Sequence, residues 1–193
     1  FPRNEETGRP AFAAREAEGP FRSLADFVAM LQAPTNPLLV AGGANVGIEW
    51  HKFDLSKTWL DRANAEMNTN PYVMRERERY LTWTGKYAES AQLAEQTIKK
   101  LPKDRDVIVY YGYDLLHLGR YDDLLQLTSK YEKVLPKDAD LPLLAGYVHK
   151  NAELLHEAVD DFTRAIERGP EVRTAFVNRG YVYNDLQNAE AAS

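Results

Sequence analysis

Apolar residues recur along the second half of this chain at the spacing of an α-helix. Ala158, Phe162, Ala165 and Ile166 fall at i, i+4, i+7 and i+8, which puts one stripe on a 3.6-residue turn. Nearer the start, Ser23 with Asp26 three residues on makes a capping-box-like helix start. Leu24, Phe27, Val28 and Leu31 follow as an amphipathic stripe that Pro34 ends. Residues 1–20 hold Pro2, Gly8, Pro10, Gly19 and Pro20 among charges and predict an extended or disordered arm. Pro34, Pro37, Gly42, Gly43 and Gly47 predict a loop over 34–47, and Ile48 to Met67 predicts a helix bearing Trp59.

The pattern also repeats at long range. Leu101-Pro102-Lys103-Asp104 returns as Leu135-Pro136-Lys137-Asp138, 34 positions later. Gly112, Gly146 and Gly180 share that spacing, as do Pro102, Pro136 and Pro170. Gly85 and Gly119 keep it too, with Tyr87 and Tyr121 two residues behind them. A period of 34 obeyed by several independent series marks one folding unit used repeatedly.

On these residues the chain resembles the tetratricopeptide-repeat family, in which each repeat is a pair of antiparallel helices, A and B. The family has a small residue at position 8, alanines at 20 and 27, and proline at 32. Read from Ala139, one repeat places Gly146, Ala158, Ala165 and Pro170 at those positions, with Phe162 at 24. The repeat from Arg105 keeps Gly112, Gly119, Tyr121 and Pro136 but has Leu124 and Tyr131 for the alanines, so its helices are expected to pack further apart. The repeat from Pro71 has the Gly85-Lys86-Tyr87 turn and Pro102, but Glu78 at position 8 departs from the pattern and is expected to face a different neighbour.

The resemblance implies an all-α fold, a right-handed superhelix of antiparallel helix pairs with about three and a half repeats behind N-terminal helices. The expected organisation is an arm at 1–20, a helical cap at 21–70, repeats at 71–104, 105–138 and 139–172, and a partial repeat at 173–193. A helix B is expected to begin with Ala189 to Ala192, and Phe53, Ser56, Leu60 and Ala63 form a weaker echo of a helix B upstream. Glycine at position 8 admits a close neighbour at about 1 kcal/mol of helix propensity relative to alanine. Proline closes each unit because it lacks an N–H and restricts the residue before it.

Composition narrows the function. The 193 residues carry 24 Lys plus Arg against 29 Asp plus Glu, a formal charge of −5 with no basic run, which argues against nucleic acid as a partner. No cysteine means no disulfide, no thiolate metal site and no thiol nucleophile. The longest apolar stretches, such as 37–43, fall well short of the roughly 20 residues that span a bilayer.

Candidate chemistry is thin, and neither an enzyme nor a cofactor is expected. Gly42 to Gly47 resembles a phosphate loop, but Ile48-Glu49 stands where Lys-Ser/Thr is needed. His156-Glu157 begins like a zinc-protease helix, yet Asp160 holds the place of the second histidine. Asp122/Asp123 and Asp160/Asp161 are sequence neighbours whose side chains diverge by roughly 100° on a helix, so they read as solvated surface.

The resemblance implies that positions 2, 5, 9, 12 and 13 of helix A line a concave groove. Position 9 is Tyr113, Tyr147 and Tyr181 in successive repeats, a ladder of rings and hydroxyls that would either meet a ligand or pack against the next helix A. Val109, Leu116, His117, Leu143 and Val177 extend this face. In the first repeat Tyr72 and Trp83 flank Arg75 and Arg79, which would anchor an anion or pair with Glu76 and Glu78. The Lys, Asn and Arg set with which some members clamp a chaperone's terminal carboxylate is missing. Repeat 2 has Tyr110 and repeat 3 has Leu144 at position 6 of that set, and Asp140 stands at its position 2.

The expected function is a non-catalytic scaffold that binds a protein or peptide partner in the groove. Alternatives are a bacterial envelope scaffold for polysaccharide or outer-membrane assembly, whose tyrosines would stack sugars, and the regulatory module of a longer enzyme. Phe176, Val177 and Val182 on the partial repeat also suggest self-association through that end.

Overall fold

The computed structural model describes residues 43, 44, 47, 48 and 51–192. The predicted arm at 1–20 and the helix predicted from Ser23 lie outside the described residues. Of the predicted loop at 34–47, Gly43, Ala44 and Gly47 are helical, as is Ile48; Ala44 and Ile48, one turn apart, are buried. That pair of apolar side chains outweighs the glycines around it. The chain divides into two units, residues 1–68 and 69–193.

In the first unit, helix α1 (Phe53–Met67) buries Ser56, Trp59, Leu60 and Ala63, an i, i+3, i+4, i+7 face. Ser56 Oγ bonds back to Lys52 O at 3.2 Å, so its hydroxyl is satisfied inside that face.

The second unit is a run of helix hairpins. Helices α2 (Pro71–Trp83) and α3 (Tyr87–Lys100) form the first, α4 (Arg105–His117) and α5 (Tyr121–Tyr131) the second, α6 (Asp140–Asn151) and α7 (Leu155–Arg168) the third. Helix α8 (Arg173–Ala192) follows. Each A helix packs on its own B helix, α2 on α4 and α4 on α6, and each B helix on the next A helix. The B-type helices begin at Phe53, Tyr87, Tyr121 and Leu155, so the 34-residue register runs back into the first unit.

Every A-to-B turn has the same construction. Its last residue donates to a carbonyl five positions back, Lys86 to Leu81, Arg120 to Leu115 and Leu154 to His149, each at 2.9 Å. This needs a left-handed residue in the middle, supplied by Gly85 (φ 76°) and Gly119 (φ 69°). The third turn uses Glu153 (φ 59°) instead.

The A helices start on side-chain caps. Asn70 Oδ1 accepts from the Tyr72 N–H, Asp104 Oδ1 from Asp106 and Val107, and Asp138 Oδ1 from Asp140 and Leu141. Two of these caps are the aspartates that end the repeated Leu-Pro-Lys-Asp.

Position 8 is a point of close approach between helices in two of the repeats. A Cβ on Gly112 would lie 2.6 Å from Leu144 Cδ1, and one on Gly146 would lie 2.7 Å from the buried Phe162 ring. Leu124 and Tyr131, expected to hold the helices apart, are themselves buried in the core with Ile108, Leu115 and Leu144. The end of the chain differs from expectation. No turn precedes Ala189, and α8 runs unbroken from Arg173 to Ala192. Gln187 stands where Gly85, Gly119 and Glu153 turn the chain.

Candidate functional site

The three position-9 tyrosines are graded in environment, and the next A helix sets the grade. Tyr113 donates its hydroxyl to Asp140 Oδ1 at 3.3 Å. Burial, with the nearby Asp140 charge, raises its pKa well above the usual phenol value. Tyr147 packs edge-on against Phe162, centroids 5.8 Å apart, and its hydroxyl meets that of Thr174. Both hydroxyl contacts reach a residue 27 positions on, position 2 of the following repeat. Among the described residues no A helix covers Tyr181, which is 59% exposed with Lys150 Nζ 5.2 Å from its ring centre.

A second regularity ties the end of an A helix to the start of the preceding B helix. His117 stacks on Tyr87, centroids 4.1 Å apart and planes 9° apart, and 34 residues later Asn151 donates to the Tyr121 hydroxyl at 3.4 Å. His117 is thereby held on an aromatic ring, though exposed.

In the first repeat, Tyr72 and Trp83 are about half exposed. Arg75 is not a waiting anion anchor. It bonds Glu76 Oε1 at 2.7 Å and Asp104 Oδ2 at 3.1 Å, and its guanidinium lies over the Tyr72 ring. Arg79 covers the Tyr110 ring at 5.5 Å. Val109 and Leu143 are at most 4% exposed and offer no ligand surface. Leu143 lies in one buried cluster with Ala158, Phe162 and Ala165 of α7 and with Ala175 and Val182 of α8. Leu116 is half-buried against the core, and Val177 is exposed.

Sequence reasoning missed a buried polar cluster between repeats 1 and 2. Glu78, at the small-residue position, is fully buried and neither carboxyl oxygen has a hydrogen-bond partner. On α4, Asp114 is also fully buried, with Oδ1 accepting from Thr82 at 2.9 Å and Oδ2 unpartnered. Ser90 of α3 joins them, 2.9 Å from the Thr82 hydroxyl and donating to Glu78 O at 3.1 Å. Burial, with the charges of Asp114, Asp104 and Asp106, pushes the Glu78 carboxyl up to about 10. Burial pushes Asp114 up to about 7 against the bonds from Ser90 and Thr82. The one signal in the sequence was a glutamate in a glycine series.

Asp161, expected on the solvated surface, is buried. It accepts from Arg164 and lies 2.6 Å from His149 Nδ1, while Glu132 takes Arg164 at 2.7 Å and Arg168 at 3.2 Å. These pairs bind α7 to α6 and to Glu132 at the end of α5. Among the described residues no group of three or more His, Asp or Glu side chains is placed to hold a metal ion. None of the described helices is long and apolar enough to cross a membrane.

No family model matches the chain, and a search of curated proteins finds no relative. Solved structures do match. MamA of Desulfovibrio magneticus RS-1, from residue 41 to its end, superposes with a TM-score of 0.67 at 16% identity, covering 83% of this chain and 91% of that one. TTC0263, a thermophilic tetratricopeptide-repeat protein of Thermus thermophilus, gives 0.64 at 18% identity over 78% and 81%. MamA of MSR-1 gives 0.62 at 17% over 81% and 90%.

Proposed function

From the tetratricopeptide-repeat fold that these structures share with this chain, we propose a non-catalytic protein-interaction scaffold that takes a peptide or helix along its A helices. The observation that carries this reading is where aromatic surface is left uncovered. Tyr72 and Trp83 stand exposed in the first repeat and Val177 and Tyr181 on α8, while Val109 and Leu143 between them in sequence are core. Rings with a polar tip are the side chains that anchor interfaces. No set of nucleophile, base and orienting group among the described residues supports a catalytic alternative.

The test is affinity capture from the source organism's extract with wild type and a Tyr72→Ala, Trp83→Ala, Tyr181→Ala variant whose helicity is checked by circular dichroism. Proteins retained by wild type alone are expected. An unchanged set of bound proteins would remove the A-helix face as the docking site.

A further inference from the structure

Arg105 and Tyr113 close on one carboxylate of the following repeat. Tyr113 donates to Asp140 Oδ1, Arg105 reaches Asp140 Oδ2, and Arg105 Nε also meets Asp138 Oδ2 at 2.6 Å. These two donors occupy positions 1 and 9 of their repeat, and Asp140 occupies position 2 of the next. The following junction is an internal control. Position 1 is there Ala139, position 9 is still Tyr147, and the group it meets is the uncharged Thr174 hydroxyl. A carboxylate is used where the arginine is present and a hydroxyl where it is not.

Helix α8 restores the full pair, with Arg173 at position 1 and Tyr181 at position 9. Both are exposed, and Arg173 has no ion-pair partner among the described residues. Lys150 beside the Tyr181 ring adds a cation, and Val177 adds apolar surface between the two donors. We propose that Arg173 and Tyr181 form a carboxylate clamp on α8 whose occupant is a helix start on another polypeptide carrying Asp or Glu in its first turn. This rests on the scaffold reading above and specifies the partner's chemistry at one end of it.

The probe is a labelled synthetic peptide of residues 135–151, the segment that Arg105 and Tyr113 already hold, followed by fluorescence anisotropy against the whole chain. Wild type is expected to bind it, and Arg173→Gln, Tyr181→Phe or an Asp140→Asn peptide to weaken binding about tenfold. Equal binding by Arg173→Gln, equal binding of the Asp140→Asn peptide, or no binding by wild type would each overturn the clamp. So would self-association of wild type that Arg173→Gln abolishes without peptide binding, since a second copy would then be the occupant. Arg173 is outside the aromatic set tested by capture. A protein that still retains partners through Tyr72 and Trp83 but ignores this peptide loses the clamp alone.

Discussion

Thr82 donates its hydroxyl to Asp114 Oδ1 at 2.9 Å, from one A helix to the next, at the junction where Glu78 stands in place of glycine. At the next junction an apolar side chain of the following A helix, Leu144, packs against Gly112 instead. Here two buried acids share the junction. From α4 the Glu78 carboxyl feels Asp114, Asp106 and the cap Asp104. The buried face of α3 (Ser90, Ala91, Ala94, Thr97) carries no titratable group, and on its own helix Glu76 is buried beside Arg75 and Arg79.

The folded chain therefore holds protons that the unfolded chain releases. Glu78 titrates at about 10 folded against an ordinary 4.5, and Asp114 at about 7 against 3.8. A raised acid contributes least penalty while both states are protonated, so stability falls as pH rises from about 5 towards about 10. Urea melts across that range are expected to show a steady decline that Glu78→Gln, neutral at every pH, flattens. An unchanged slope in the variant would place the linkage elsewhere.

Alanine substitution at two glycines of one register should act with opposite signs. Gly146→Ala drives a Cβ into the buried Phe162 ring, costing about 1–3 kcal/mol against about 1 kcal/mol gained in helix propensity. Gly180→Ala meets nothing within 4 Å and keeps the gain. Thermal melts are expected to move down for the first and up for the second; shifts in the same direction would contradict the packing described.

Glu153→Gly should stabilise the third hairpin. A left-handed non-glycine residue costs about 1–2 kcal/mol, and the equivalent Gly85 and Gly119 avoid it. A denaturation midpoint at or below wild type would mean that the Glu153 side chain contributes more than the strain it carries.

Asp138→Ala should lose a helix cap, about 1 kcal/mol, together with its pairing to Arg105. Asp138→Asn keeps an Oδ1 to cap with, as Asn70 does, and loses only a half-exposed ion pair worth under about 1 kcal/mol. Equal destabilisation by the two would show that the charge, not the cap, is what α6 needs.

Helix pairs, their turns and their period were legible in the sequence because each depends on local chemistry repeated at fixed spacing: glycine at Gly85 and Gly119, proline closing each unit. Asp104 and Asp138 were not legible as caps, since the charged Arg105, Asp106 and Asp140 stand between them and the apolar positions that follow. The candidate site was legible only as a set of positions. Whether Tyr113 or Tyr147 meets a carboxylate or a hydroxyl depends on what lies 27 residues ahead, a tertiary relation that no local pattern carries. Glu153 hid a third turn because its conformation is imposed by the hairpin and not by its own preference. Asp161 looked like solvent-facing charge beside Asp160 because nothing nearby in sequence announces Arg164 and His149 as its partners.

The cap aspartates use their two oxygens in opposite directions along the chain. Oδ1 of Asp138 begins its own helix while Oδ2 holds Arg105 of the preceding repeat, and Asp104 does the same with Arg75. Melting one A helix thus strips its predecessor of an ion pair, which couples neighbours as in a one-dimensional cooperative array. At the last junction the register places Val172, which has no side-chain oxygen to share. That ion-pair link is missing there, so the amides of α8 should exchange with solvent before those of α4 and α6.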